Sequence, residues 1–113
     1  MTSKRKLHRR RLSPAKLDKM IEEATVDANG ESEQAMGFFT LLEERLELPF
    51  KTKVLGVEVT VDRLDMTDDE QVVGICSRGK WRQSVSILDL TLPNPPPKGA
   101  EWIEAFRCWA GGR

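Results

Sequence analysis

The stretch Gln71–Leu92 (QVVGICSRGKWRQSVSILDLTL) limits the choice of fold more than any other part of the chain. Two runs rich in β-branched residues flank Ser77-Arg78-Gly79-Lys80, where Gly79 can take the positive φ that a tight reversal needs. On the return run Trp81, Gln83, Val85 and Ile87 alternate with Arg82, Ser84 and Ser86. A period of two marks a strand with one side buried. The outgoing run, Val72 to Cys76, has less polar interruption and reads as a central strand. The segment predicts a β-hairpin within an antiparallel sheet.

The rest of the chain supplies the remaining layers. Ser13-Pro14 reads as a helix N-cap followed by the first helical position. Leu17, Ile21, Ala24 and Ala28 then form one apolar stripe at helical spacing, and Asn29-Gly30 is expected to end the helix. A second helix is predicted from about Ser32, with Met36, Phe39, Leu42 and Leu46 on its apolar face, stopping before Pro49. The short connection makes the two an antiparallel pair over residues 13–47. From Phe50 the period changes to two, with a short strand over Lys51 to Leu55. A second strand, with Val57, Val59 and Val61 alternating with Glu58, Thr60 and Asp62, follows or bends at Gly56. Pro93 to Pro97 read as a stiff span. Beyond it, Trp102, Ile103, Phe106 and Trp109 mark one face of a closing helix. The fold class expected is α+β: a helix pair, then a small, strongly bent antiparallel sheet or partly open barrel closed by a C-terminal helix over 48–110. Residues 111–113 are expected to fray.

The net charge of zero conceals an asymmetry that bears on partners. Lys4, Arg5, Lys6, Arg9, Arg10 and Arg11 precede any acid, leaving 12 basic against 18 acidic residues, a net of −6, in the remainder. Residues 1–12 read as a disordered basic arm, able to contact nucleic acid or another acidic partner through residues 4–11 in a salt-sensitive way. No aromatic interleaves the arm, so it offers no platform for base stacking. No apolar run approaches the roughly 20 residues that span a bilayer, and no secretory leader is visible. The expected location is the cytoplasm. Oligomeric state is left open.

The sequence argues against catalysis. His8, in the arm, is the one histidine, and there is no G-x-S-x-G or Gly-rich phosphate loop. Cys76 and Cys108 lack CxxC spacing and read as reduced, apolar thiols rather than zinc ligands. The segment with most chemical potential is the acidic connector before the hairpin, Asp62-Arg63-Leu64-Asp65-Met66-Thr67-Asp68-Asp69-Glu70. Asp62, Asp65, Asp68, Asp69 and Glu70 repel one another unless a cation neutralises them. Ca²⁺ takes six to eight oxygen ligands in flexible geometry, whereas Mg²⁺ demands a tight octahedron, so the crowding suits Ca²⁺. An EF-hand is excluded: counting from Asp65, Glu70 stands where Gly is required and Cys76 where the bidentate Glu belongs. Counting from Asp27, Ser32 and Phe38 stand there. The acids of the helix pair read as solvated faces.

Leu48-Pro49-Phe50, Val72 to Cys76 running into Ser77-Arg78-Gly79, then Gln83 and Ile87-Leu88-Asp89-Leu90 form a pattern completed by Glu101-Trp102-Ile103, Ala105-Phe106 and Trp109. In these features the stretch from Leu48 to Ala110 resembles the small calcium-binding proteins of the CcbP type. The resemblance implies a compact, non-enzymatic domain that binds Ca²⁺ through surface carboxylates, outside any EF-hand, and buffers or senses it. By position before the hairpin it implies Asp62, Asp65, Asp68, Asp69 and Glu70 as metal ligands. The alternative is a small β-barrel interaction module working through its basic arm.

Overall fold

The computed structural model describes residues 12–111, so the basic arm over 4–11 lies outside the described residues, as does most of the C-terminal tail. Helices α1 (Pro14–Thr25) and α2 (Glu31–Arg45) come first, followed by strands β1 (Phe50–Val54), β2 (Val57–Met66), β3 (Val72–Arg78) and β4 (Trp81–Ser86), and helix α3 (Ala100–Ala110). The strands form one antiparallel sheet in the order β1-β2-β3-β4. It is an open sheet rather than a barrel, because β1 and β4 stand at opposite edges and do not pair. Among the described residues no helix is long and apolar enough to cross a membrane.

Local chemistry explains the element boundaries. Ser13 accepts the N–H of Lys16 at 3.1 Å, with Pro14 in the first helical turn, as the sequence predicts. The helix ends earlier than its apolar stripe suggests, at Thr25, because Val26 turns extended and Asp27 takes φ 65°. Gly30 therefore caps the start of α2 rather than the end of α1. On α2 the buried face is Ala35, Phe38 and Leu42, with Phe39 half-buried and Met36 exposed, which turns the expected face by less than one residue's step around the helix. The reason is Gly37: a Cβ there would stand 2.2 Å from the Ala24 carbonyl oxygen, so the two helices approach backbone to backbone along this line.

Two-residue turns close two of the hairpins. Leu55 and Gly56, both at positive φ, join β1 to β2 in the pattern of a type I′ turn, so Leu55 belongs to the turn and not to the strand. Gly79-Lys80 joins β3 to β4, with Gly79 at φ 59°.

The helices cover one face of the sheet. Met20, Ile21, Phe38 and Leu42 share a single buried cluster with Val59, Val61, Leu64, Val72 and Cys76, and with Trp102, Ile103 and Phe106 of α3. Phe38, Phe106 and Trp109 pack ring to ring at 5.3–5.8 Å, and the Trp109 indole N–H donates to Gln34 Oε1 at 3.1 Å. Helix α3 thus belongs to this helical layer and is not the lid of a barrel. The inner face is covered unevenly. Val85 is half-buried and Ile87 fully buried, but Trp81 and Gln83 are exposed, because the cover does not reach that end of β4. The expectation that all four would be buried is corrected accordingly.

Arg107 secures the chain beyond β4. Its Nε and Nη2 donate to the Ile87 carbonyl at 3.1 and 3.0 Å, and Nη2 also to that of Leu90, so the turn that buries Ile87 and Leu90 is pinned to α3. Burial pushes the Arg107 pKa down from its usual value, and the charges of Asp89 and Glu104 pull it back.

Two substitutions test this framework with opposite signs. Gly37→Ala forces the helices apart and is expected to cost about 1–3 kcal/mol by denaturant melts. Leu55→Asn relieves a branched side chain from the left-handed region, where Asn is tolerated, and is expected to gain about 0.5–1 kcal/mol.

Candidate functional site

The acidic segment before the hairpin divides into two parts. β2 runs on to Met66, so Asp62 and Asp65 are strand residues, and only Thr67 to Gln71 make the connector. This corrects the reading of Asp62 to Glu70 as a single loop. The sequence hides the strand because its alternation breaks at Asp62. There the register shifts: Val61 pairs with Cys76 and Arg63 with Ile75, leaving Asp62 as the extra residue of a β-bulge. The bulge restores Leu64 to the buried face and keeps Asp62, Arg63 and Asp65 exposed.

Asp62 acts on Cys76, the residue opposite the bulge. Burial raises the Cys76 pKa above its usual value, and the Asp62 charge raises it further. Neither cysteine forms a disulfide; Cys76 is buried and Cys108 half-buried.

The β2–β3 turn is built by Thr67. Its N–H donates to the Gln71 carbonyl at 2.9 Å, its carbonyl accepts the Glu70 N–H at 2.9 Å, and its hydroxyl accepts the Gln71 N–H at 3.0 Å. The same hydroxyl donates to Asp69 Oδ1 at 2.5 Å. Glu70 sits at φ 65°, the left-handed residue that returns the chain to β3. Asp65 accepts the N–H of Met66 at 2.8 Å. Asp68, Asp69 and Glu70 are therefore three consecutive exposed carboxylates on a hydrogen-bonded turn.

Tertiary structure adds a neighbour that the sequence does not reveal. The Ser32 hydroxyl donates to Glu70 Oε2, across 38 positions of chain. Ser32 lies between Glu31 and Glu33 in the first turn of α2, so a second acidic segment meets the turn at this corner. Glu33 itself accepts the Asn29 N–H at 2.8 Å. These helix acids read in sequence as solvated faces, and no spacing signal links positions that far apart.

Compensating charge is scarce here. Among the described residues the ion pairs are Arg45–Glu23 at 3.0 Å and Arg63–Asp65 at 3.7 Å, the latter exposed on both sides. Asp62, Asp68, Asp69 and Glu70 have no lysine or arginine among the described residues at ion-pair distance. Also among the described residues, no three His, Cys, Asp or Glu side chains stand in an arrangement ready to hold a metal ion. The donor set has the hard-oxygen chemistry that Ca²⁺ requires, but its side chains are spread into hydrogen bonds and solvent.

Residues 18–110 match the sequence model of the CcbP family, described as calcium binding. The chain belongs to the CcbP calcium-binding family. The match includes α1 from Asp18 onward and all of α2, so the likeness is wider than the stretch from Leu48 that the sequence pattern suggests. The crystal structure of Anabaena CcbP superposes with a TM-score of 0.71 at 21% identity, over 88% of this chain and 94% of that one. At that identity the superposition speaks for the fold, and calcium binding rests on family membership. None of the curated proteins matches the chain in sequence.

The environment of Cys76 generates a prediction. Its thiol is buried with a raised pKa, so iodoacetamide at mildly alkaline pH is expected to label Cys108 well before Cys76, as read by peptide mass spectrometry. The sign for stability follows. The folded-state pKa lies above the unfolded value, so the Cys76 contribution is full below that unfolded value and is lost as pH rises through the folded one. Cys76→Ala is expected to flatten the alkaline limb of a stability–pH curve.

Proposed function

We propose that this CcbP-family chain binds Ca²⁺ at the corner where the β2–β3 turn meets the first turn of α2. Asp68, Asp69 and Glu70 are the carboxylate ligands, with Asp65 from the end of β2 as a further donor. The observation that carries this reading is the run of three consecutive exposed carboxylates, without a cationic partner among the described residues, on a turn whose backbone is fixed by Thr67. Mutual repulsion makes such a cluster unfavourable by itself and favours a divalent cation that joins it.

Asp62 is left out of the ligand set. It stands five residues before Thr67 along β2, a path of about 16 Å at about 3.3 Å per residue. That is too far to share an ion with the turn, and its role is to add to the local negative field. The Ser32 hydroxyl donates to Glu70 and the Thr67 hydroxyl to Asp69, so binding exchanges those hydroxyl contacts for contacts to the ion. A site assembled only on loading binds weakly, with Kd about 10⁻⁴–10⁻³ M, a range in which a protein buffers or responds to large changes in Ca²⁺. Binding with no reaction to follow accords with a non-enzymatic role.

Titration calorimetry at low ionic strength tests the assignment. The natural chain is expected to bind Ca²⁺ more tightly than Mg²⁺ and to melt higher as Ca²⁺ is added, by about 2.7 kcal/mol when the ion is at 100 times its Kd. The triple change Asp68→Asn, Asp69→Asn and Glu70→Gln is expected to weaken Ca²⁺ binding by more than about tenfold while raising the metal-free melting temperature, since like-charge repulsion is relieved. Asp62→Asn is expected to leave affinity nearly unchanged. Should the triple variant bind as the natural chain does, the ligands lie elsewhere.

A further inference from the structure

We propose that the free edge of β4 is a docking site for an extended acidic peptide, which joins the sheet there as an added strand. β4 is the last strand in the sheet order and pairs only with β3. In an antiparallel ladder alternate residues turn their backbone groups toward one neighbour and the others turn away. The Ile87 N–H donates to the Val72 carbonyl at 2.9 Å, which identifies Trp81, Gln83 and Val85 as the residues bonded to β3. The pair Arg78↔Trp81 flanking the two-residue turn gives the same alternation.

The N–H and C=O groups of Arg82 and Ser84 therefore point away from the sheet, and both residues are exposed. The Ser86 N–H points the same way, while its carbonyl is taken by the Asp89 N–H at 2.9 Å. Among the described residues nothing bonds to Arg82 or Ser84 along that edge. Proteins blunt such an edge with proline, a bulge or charged side chains, of which β4 has one, Arg82. β4 has no proline, and the bulge of this sheet lies in β2.

Charge selects the occupant. The one charged residue within β4 is Arg82, and Lys80 stands at the same end of the hairpin, whereas Arg78 is turned to β2, where it donates to the Glu58 carbonyl at 3.1 Å. The other side of the strand offers Trp81, 44% exposed, as an aromatic anchor for an alternate side chain of the incoming peptide. Main-chain bonds supply affinity in such a complex, and the flanking side chains supply specificity. Carboxylates on one face of the peptide and apolar groups on the other fit this edge. The site lies on a different strand from the proposed calcium ligands, so each reading can fail without the other.

The test uses the full chain labelled with ¹⁵N and a capped hexapeptide of alternating Val and Glu at low salt. Saturating peptide is expected to slow hydrogen exchange at the Arg82 and Ser84 amides by about tenfold or more, with no such change in β1. Arg82→Glu is expected to weaken binding by about tenfold, and a peptide with Lys in place of Glu to bind no better than that variant. Ser84→Pro removes an outward N–H at an edge position that tolerates proline, and is expected to abolish binding with the thermal melt retained. The proposal is overturned if millimolar peptide leaves these amides unprotected or if the Lys peptide binds equally well. It is also overturned if protection appears without peptide and grows with protein concentration, since the occupant is then a second copy. If Ser84→Pro does not fold, Arg82→Glu and the exchange pattern still decide.

Discussion

A four-stranded sheet with one apolar face must be covered, and the way this chain covers it sets everything else. Three helices, two ahead of the sheet in sequence and one after it, meet over the same side, and their contact depends on close backbone approach at Gly37 and on the aromatic group of Phe38, Phe106 and Trp109. Gly99 shows the same tightness at the start of α3. A Cβ there would stand 2.0 Å from the Arg45 carbonyl oxygen, so the end of α2 and the beginning of α3 are fitted directly against each other. Burial of apolar area, at about 25 cal/mol per Å², drives this assembly, and the glycines permit the spacing it needs.

Segments without regular structure are held to the same core by polar contacts. Arg107 grips the carbonyls of Ile87 and Leu90, the buried Thr52 hydroxyl donates to the Thr91 carbonyl, and the Glu47 N–H donates to the Lys98 carbonyl at 2.8 Å. These bonds satisfy backbone groups that no strand partner reaches. They also leave the hairpin turns and the β4 edge projecting beyond the helical cover. Function in this protein is expected at those margins. In the readings proposed above, the charged β2–β3 turn would supply oxygen ligands to a hard cation, and the β4 edge would supply main-chain donors to an acidic polypeptide.

Much of this organisation was legible in the residues. Ser13-Pro14 marks a helix start, Gly79 a reversal, and the spacing of Trp102, Ile103 and Phe106 a buried helix face, because each depends on local backbone chemistry or on a short period. The hairpin strands and the acidic run were visible for the same reason, as was the family pattern from Leu48 onward. Errors arose where a local rule was overridden. Met36 fits the apolar stripe of α2 but faces solvent, because the close contact at Gly37 turns the helix. Leu55 resembles a strand residue but forms a turn with Gly56. Asp62 interrupts the alternation of β2 as a bulge, so the strand looked shorter than it is.

The sequence alone thus determined the kinds of elements, their order, and the presence of crowded negative charge just ahead of the β3–β4 hairpin, since all of these are encoded in neighbouring positions. Tertiary structure decided which carboxylates share a place: it assigned Asp62 and Asp65 to a strand, kept Asp68, Asp69 and Glu70 on one turn, and brought Ser32 of α2 to Glu70. It also decided that the sheet stays open and that Arg82 and Ser84 turn their backbone groups outward. Pairings between distant segments follow from how the whole apolar surface is buried at once, and no short window of residues carries that information.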